Sequence, residues 1–270
     1  MGNYINTFLS GGCSFTFGNE LSDDDGKTPS SKTWAKYFSN NLQLNYFSVA
    51  KGGLGNQGIA RRVFDYLQSH REEKMFVAVM WTFVSRYDWA MPRHHLLEDT
   101  RWATITPWDT EMKQKEIEKK LANSEPVLND FRRRRAEYQK IGIGKFADAL
   151  YRYAANQYYE TYLSWQNIIW LQNYLEKHKI PYFFTLADNS LFYDGIDSHQ
   201  GNDRLLKNLY DEINFDSWYF FGERKMGFNQ WAKLNDYEYA TTHPLDQAHA
   251  DAVQLMKPKL FECYRRYNND

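Results

Sequence analysis

The stretch Tyr4-Ile5-Asn6-Thr7-Phe8-Leu9-Ser10-Gly11-Gly12-Cys13-Ser14-Phe15-Thr16-Phe17-Gly18 decides how the chain is read. Tyr4 to Ser10 is β-prone and weakly alternating, and it runs into Gly11-Gly12. That pattern predicts a strand closing in a tight turn, with the hydroxyl of Ser14 directly behind it. Outward from there, Asn19 to Ser31 is rich in Asp, Ser and Gly and reads as a loop. Thr33 can cap a helix carrying Trp34, Tyr37 and Phe38. Leu44 to Ala50 is a second strand, followed at once by Gly52-Gly53-Leu54-Gly55-Asn56-Gln57-Gly58. Ile59, Val63, Phe64 and Leu67 then recur at helical spacing through His70. Met75 to Thr82 is almost wholly apolar, as a strand buried on both faces requires.

The middle of the chain changes character. Met91 to Lys140 is charged, with helix formers at Glu111 to Leu121 and four arginines at Arg132 to Arg135. The arginine run reads as a solvated helix face balanced by nearby acids. Phe146 to Leu175 predicts one long amphipathic stretch. Pro181 opens a further strand, Tyr182 to Ala187, and Leu205 to Ile213 reads as helix. A last helix is expected from Asp246 to Tyr267, kinked or broken at Pro258. Strands alternating with helices predict an α/β fold, three layers around a parallel sheet. A helical insertion or cap is expected at about 91–180 within a single domain over 1–270.

Composition narrows the class. The 270 residues are 43% hydrophobic and 25% charged, with a formal net charge of -1. A disordered chain, a collagen and a globally basic nucleic-acid binder are excluded on those values. The apolar run Met75 to Val84 is far short of the ~20 residues of a membrane span. The first residues lack a signal-peptide design, and Asn6 stands where myristoylation expects Ser or Thr. Two cysteines, Cys13 and Cys263, form neither a disulfide framework nor a zinc site, so a reducing cytoplasm is expected. Aromatics reach 17%, enough for an aromatic-rich core or for a platform on which sugars stack.

Parallel sheets bind ligands at the carboxyl ends of their strands. Those ends present Ser14, the glycine cluster, Trp81-Thr82-Phe83-Val84-Ser85-Arg86, Ala187-Asp188-Asn189 and, before the last helix, His243-Pro244. A hydroxyl, an amide-rich turn and an imidazole at one edge are the parts of an acyl-transfer site. Gly12-Cys13-Ser14-Phe15-Thr16 with Gly18 resembles the first block of the SGNH (GDSL-like) hydrolase superfamily. Ala50-Lys51-Gly52-Gly53-Leu54-Gly55-Asn56 is similar to its second block, and His243-Pro244 to its last. The aromatic richness and Trp81-Thr82 with Arg86 resemble uncharacterised phage-encoded members.

That resemblance implies the flavodoxin-like SGNH hydrolase fold and a serine esterase or acyl hydrolase needing no cofactor. Its substrate would be a small-molecule or carbohydrate ester. Ser14 is implied as nucleophile and His243 as general base. Gly53 and Asn56 are implied at the oxyanion, with Thr82 and Arg86 beside the substrate. The chain departs from the pattern twice. The family's last block has Asp three residues before the histidine, where this chain has Ala240. Asp188, Asp236 or Glu238 is then expected to orient His243, or a Ser–His dyad to work alone. The third block, Gly-x-Asn-Asp, is replaced by the Trp81 to Arg86 segment. Those departures support an alternative, a weak or inactive descendant of the fold with a binding or phage-structural role. It would self-associate or meet a virion partner, in the host cytoplasm or the virion.

Two further signals compete. Gly53-x-Gly55-x-x-Gly58 matches a dinucleotide turn, but the first acid past the next strand is Asp88, too late for the ribose. Asp23-Asp24-Asp25-Gly26 resembles half a calcium loop, yet Leu21 and Lys32 occupy its first and twelfth positions, so no metal is expected.

Overall fold

The computed structural model describes residues 4–91, 102–120, 129, 131–133, 135, 136, 140, 142–192 and 203–266. The elements begin with β1 (Thr7–Gly12), α1 (Ser14–Phe17), α2 (Trp34–Leu42), β2 (Asn45–Ser48), α3 (Asn56–Ser69) and β3 (Met75–Trp81). There follow β4 (Tyr87–Ala90), β5 (Trp102–Ile105), α4 (Glu111–Lys120), α5 (Ile143–Tyr153) and α6 (Gln157–Lys177). The chain ends with β6 (Tyr182–Leu186), α7 (Arg204–Asp211), α8 (Phe228–Leu234) and α9 (Asp246–Arg266). It divides into two compact units, Met1–Val84 with Thr161–Asp270, and Ser85–Glu160.

The first unit holds a parallel sheet in the order β2-β1-β3-β6. Thr7 pairs with Asn45 on one side and Met75 on the other, and Val77 pairs with Tyr182. All residues of β1, β3 and β6 are buried, which is why their sequences are near-continuous apolar runs. β2 at the edge alternates exposed and half-buried residues. Phe76 meets Tyr264 of α9 on one face, where Phe38 of α2 also reaches Phe183. On the other face a Cβ at Gly11 would lie 2.5 Å from Val63 of α3, so the missing side chain lets α3 sit close against β1. α3 joins α6 through Phe64, whose ring packs tilted against Trp170 with centroids 4.8 Å apart. This is the α/β sandwich that the alternation of elements predicts. Because β1 lies between β2 and β3, successive connections diverge at the carboxyl ends of β1 and β3, the switch point where ligands bind in such sheets.

Three local expectations change. The stretch 146–175 is two helices, α5 and α6, parted at residues 154–156. Asn156 Oδ1 accepts the Tyr159 N–H at 2.9 Å, restarting the helix without any Gly or Pro. Pro258 does not break α9; buried Met256, Leu260 and Cys263 hold the helix across it. The second unit is not purely helical. It contains the antiparallel pair β4-β5, with Tyr87 opposite Ile105. There the Tyr87 hydroxyl donates to Glu160 at 3.0 Å, and burial pushes the pKa of both groups up. Among the described residues no helix is long and apolar enough to cross a membrane.

Candidate active site

Gly12 ends β1, Cys13 is extended, and Ser14 opens the single turn of α1. As the first helical residue, Ser14 has a backbone N–H without an intrahelical acceptor. Gly18 closes α1 at φ +88, and a Cβ there would lie 2.5 Å from the Ser30 side chain. Only glycine satisfies both demands. The chain then turns so sharply that Glu20 itself takes φ +69, a left-handed conformation costing a non-glycine residue about 1–2 kcal/mol. Its N–H donates to Asp24 Oδ2 at 2.8 Å, and Gly26 N–H donates to the other Asp24 oxygen at 2.9 Å. Asp25 accepts from the N–H groups of Lys27 and Thr28, and Asp23 from Ser31 N–H and two serine hydroxyls. The aspartates therefore build the loop by side-chain-to-backbone turns. Among the described residues no three His, Cys, Asp or Glu side chains group to hold a metal ion.

The imidazole arrives from the far end of the chain. Tyr239 and Pro244 form an antiparallel bridge, and Ala240 N–H donates to the His243 carbonyl at 3.1 Å, so His243 sits in a tight turn just before α9. The Tyr239 hydroxyl pins that turn to the Asn229 carbonyl at 2.9 Å. His243 Nε2 lies 2.7 Å from Ser14 Oγ, and Nδ1 lies 2.9 Å from Glu20 Oε2. The same Glu20 oxygen accepts the backbone N–H groups of Thr242 at 2.9 Å and His243 at 3.0 Å. Burial alone would raise the Glu20 pKa, but these bonds from Thr242 and His243 bring it down to about 2. An ionised Glu20 can only accept, so Nδ1 carries the proton and Nε2 is left to accept from the Ser14 hydroxyl. The Phe15 ring packs edgewise on the imidazole at 4.7 Å. A second tie lies alongside. Asp246 accepts Ser22 N–H at 3.0 Å and Lys32 Nζ at 2.8 Å. The neighbouring His249 is wholly buried and accepts Trp34 N–H at 3.2 Å, capping α2. Burial pushes its pKa down to about 3.

The structure thus brings Ser14 and His243 together and replaces the expected orienting acids. Asp188 is turned to Ser190 N–H and the Gln230 amide, and Asp236 and Glu238 are exposed. The carboxylate on Nδ1 is Glu20, six residues beyond Ser14, a pairing that a linear motif at His243 cannot reveal. Its signal was a carboxylate just past a turn glycine, on the same segment as the serine. Asn56 also departs from expectation. Its Oδ1 accepts Thr82 N–H at 2.8 Å, and its Nδ2 donates to Thr82 O and Ser164 Oγ, each at 3.1 Å. Both amide hydrogens are committed to tying α3, the end of β3 and α6 together. Thr82 is fully buried, and its backbone groups serve this same link. Gly53 lies half-buried at φ +82 in the turn after β2, and Arg86 belongs to the second unit.

No family model and no curated protein matches the chain. Several solved structures do. A psychrotrophic esterase from Pseudoalteromonas sp., inhibited by monoethylphosphonate, is 11% identical with a TM-score of 0.43, over 98% of this chain and 100% of that one. A G-D-S-L family protein from Desulfitobacterium hafniense is 11% identical with a TM-score of 0.40, over 96% and 99%. A carbohydrate esterase family 2 enzyme with a carbohydrate-binding domain, from Corynascus thermopiles, is 10% identical with a TM-score of 0.46, over 97% and 68%.

Proposed function

We propose that the protein is an SGNH-like serine hydrolase that cleaves an ester or acyl group, using Ser14, His243 and Glu20 as an atypical triad. The observation that carries this reading is the chain of contacts from Glu20 Oε2 through both nitrogens of His243 to Ser14 Oγ, at 2.9 and 2.7 Å. A carboxylate, a correctly protonated imidazole and a hydroxyl in series make a weak nucleophile strong.

In the proposed reaction Ser14 Oγ attacks the carbonyl carbon as its proton passes to His243 Nε2. Glu20 stabilises the imidazolium that forms. Backbone N–H groups of Ser14 and Gly53 receive the oxyanion. The alkoxide departs with the proton from Nε2, leaving acyl-Ser14. Water then gives a proton to Nε2 and its hydroxide to the acyl carbon. The carboxylic acid leaves, and the proton returns to Ser14 Oγ. Because the Asn56 amide is committed elsewhere, the oxyanion has backbone donors instead of a side-chain amide. One missing donor is worth about 3 kcal/mol, so modest turnover on activated esters is expected. A carbohydrate-borne acyl group is the natural class of substrate in this reading.

The test is hydrolysis of p-nitrophenyl acetate, with fluorophosphonate labelling, by wild type and Ser14→Ala. Labelled wild type and a hundredfold or greater loss in the variant are expected. Equal background rates and no label on either protein would transfer the assignment to a non-catalytic binding role.

A further inference from the structure

Two helices of the first unit end in the same way. α3 ends in Tyr66-x-x-x-His70-Arg71, and α6 in Tyr174-x-x-x-His178-Lys179. In each, the imidazole lies against the tyrosine one turn earlier, with ring centroids 4.0 Å and 4.3 Å apart. The two endings are cross-linked, since Gln68 Nε2 donates to the Tyr174 hydroxyl at 2.7 Å and Arg71 donates to Gln68 Oε1. They border a cavity of about 480 Å³ at the amino ends of β1, β3 and β6, the edge of the sheet opposite Ser14.

We propose that this cavity is a second site, for a small phosphate-type oxyanion. Its lining carries Arg71, Lys74 and Lys179 against the single carboxylate of Glu73, a net of two positive charges before either imidazole takes a proton. Glu73 is itself engaged by the Thr7 hydroxyl at 3.2 Å. A helix C-terminus favours a cation, which accounts for one basic residue on each helix. It does not account for Lys74, which precedes β3 and lines the same cavity. A guanidinium and two ammonium groups lining one void suit a compact anion with several oxygens. The Tyr66 carbonyl, 2.9 Å from His70 Nδ1, takes that proton, so the His70 ring caps the end of α3.

The test is titration calorimetry of the full chain with inorganic phosphate and separately with glycerol 3-phosphate, at constant ionic strength. Saturable binding of at least one is expected, and the tighter of the two tells free anion from ester. Arg71→Ala with Lys179→Ala should weaken it tenfold or more while melting at the wild-type temperature. Lys115→Ala, in the other unit, should bind as wild type does. Ester hydrolysis should be unchanged in both variants, because the cavity lies at the opposite sheet edge. Absence of saturable heat at millimolar phosphate, or equal weakening by Lys115→Ala, overturns the proposal.

Discussion

The two edges of the parallel sheet treat charge in opposite ways. At the carboxyl edge, Glu20, Asp23, Asp24, Asp25 and Asp246 are each held by N–H, hydroxyl or ammonium donors of the surrounding loops. At the amino edge, the basic side chains of Arg71, Lys74 and Lys179 line an open cavity. The first arrangement fixes one geometry before any ligand arrives, as a reaction needs. The second leaves long cationic side chains exposed to solvent. The comparison teaches that a carboxylate at the candidate active site must be assigned by its donors and not by its distance along the chain from the histidine.

The largest expected effect comes from testing that assignment. Glu20→Gln keeps the size of the side chain but lets the imidazole take the wrong tautomer, and kcat should fall by about 10⁴-fold. Asp188→Asn, Asp236→Asn and Glu238→Gln should each change kcat by no more than a few-fold. Steady-state kinetics on one activated ester ranks the four, and a deep loss at Asp236 with little at Glu20 breaks the comparison.

Much of the carboxyl edge is legible in the sequence, and the part that is not has a physical reason. Strands buried on both faces must be apolar throughout, so β3 and β6 announce themselves. A serine behind a strand and a histidine before the last helix fall on one edge in any sheet of this order, so their proximity can be read as well. Glu20 cannot, because its placement depends on left-handed turns at Gly18 and at Glu20 itself, and on donors that come from Thr242 and His243. Asn56 misleads for a related reason. An amide beside a glycine turn carries one sequence signal whether it faces a substrate or, as here, the backbone of Thr82. The pairing of α3 and α6 at the amino edge is hidden because more than 100 residues separate their endings.

The next effect in size separates structure from chemistry at Asn56. Asn56→Ala removes the side-chain acceptor of the buried Thr82 N–H and a partner of Ser164, which should cost about 1–3 kcal/mol of stability. Urea unfolding measures it. A stable variant with kcat reduced a hundredfold would instead make Asn56 an oxyanion donor.

The pH dependence sharpens the role of Glu20 further. Its folded pKa of about 2 lies below the ordinary glutamate value of 4.5, so the unfolded chain binds the proton more readily. The stabilisation is then complete above about 4.5 and is lost as pH falls toward 2. His249, pushed down from 6.5 to about 3, also weakens the fold in acid, but it does so in wild type and Glu20→Gln alike. The stability difference between those two proteins should therefore be constant near neutrality and shrink from pH 4.5 downward. A difference that persists undiminished at pH 2 would mean that the hydrogen-bond geometry matters and the ionisation does not.

The smallest expected effect is at the outer tie. Lys32 and Asp246 are joined at 2.8 Å with side chains 40% and 30% exposed, so solvent and salt screen their attraction. Lys32→Ala should lower Tm slightly at low ionic strength, less in molar salt, and leave kcat within about twofold. Ser22 still reaches Asp246 through its backbone N–H in that variant, and Glu20 still holds His243 by both main-chain and ring contacts. A loss of kcat with unchanged Tm would show that the outer tie positions the imidazole. The carboxyl edge would then be one cooperative clamp, and not a rigid relay with a dispensable ion pair beside it.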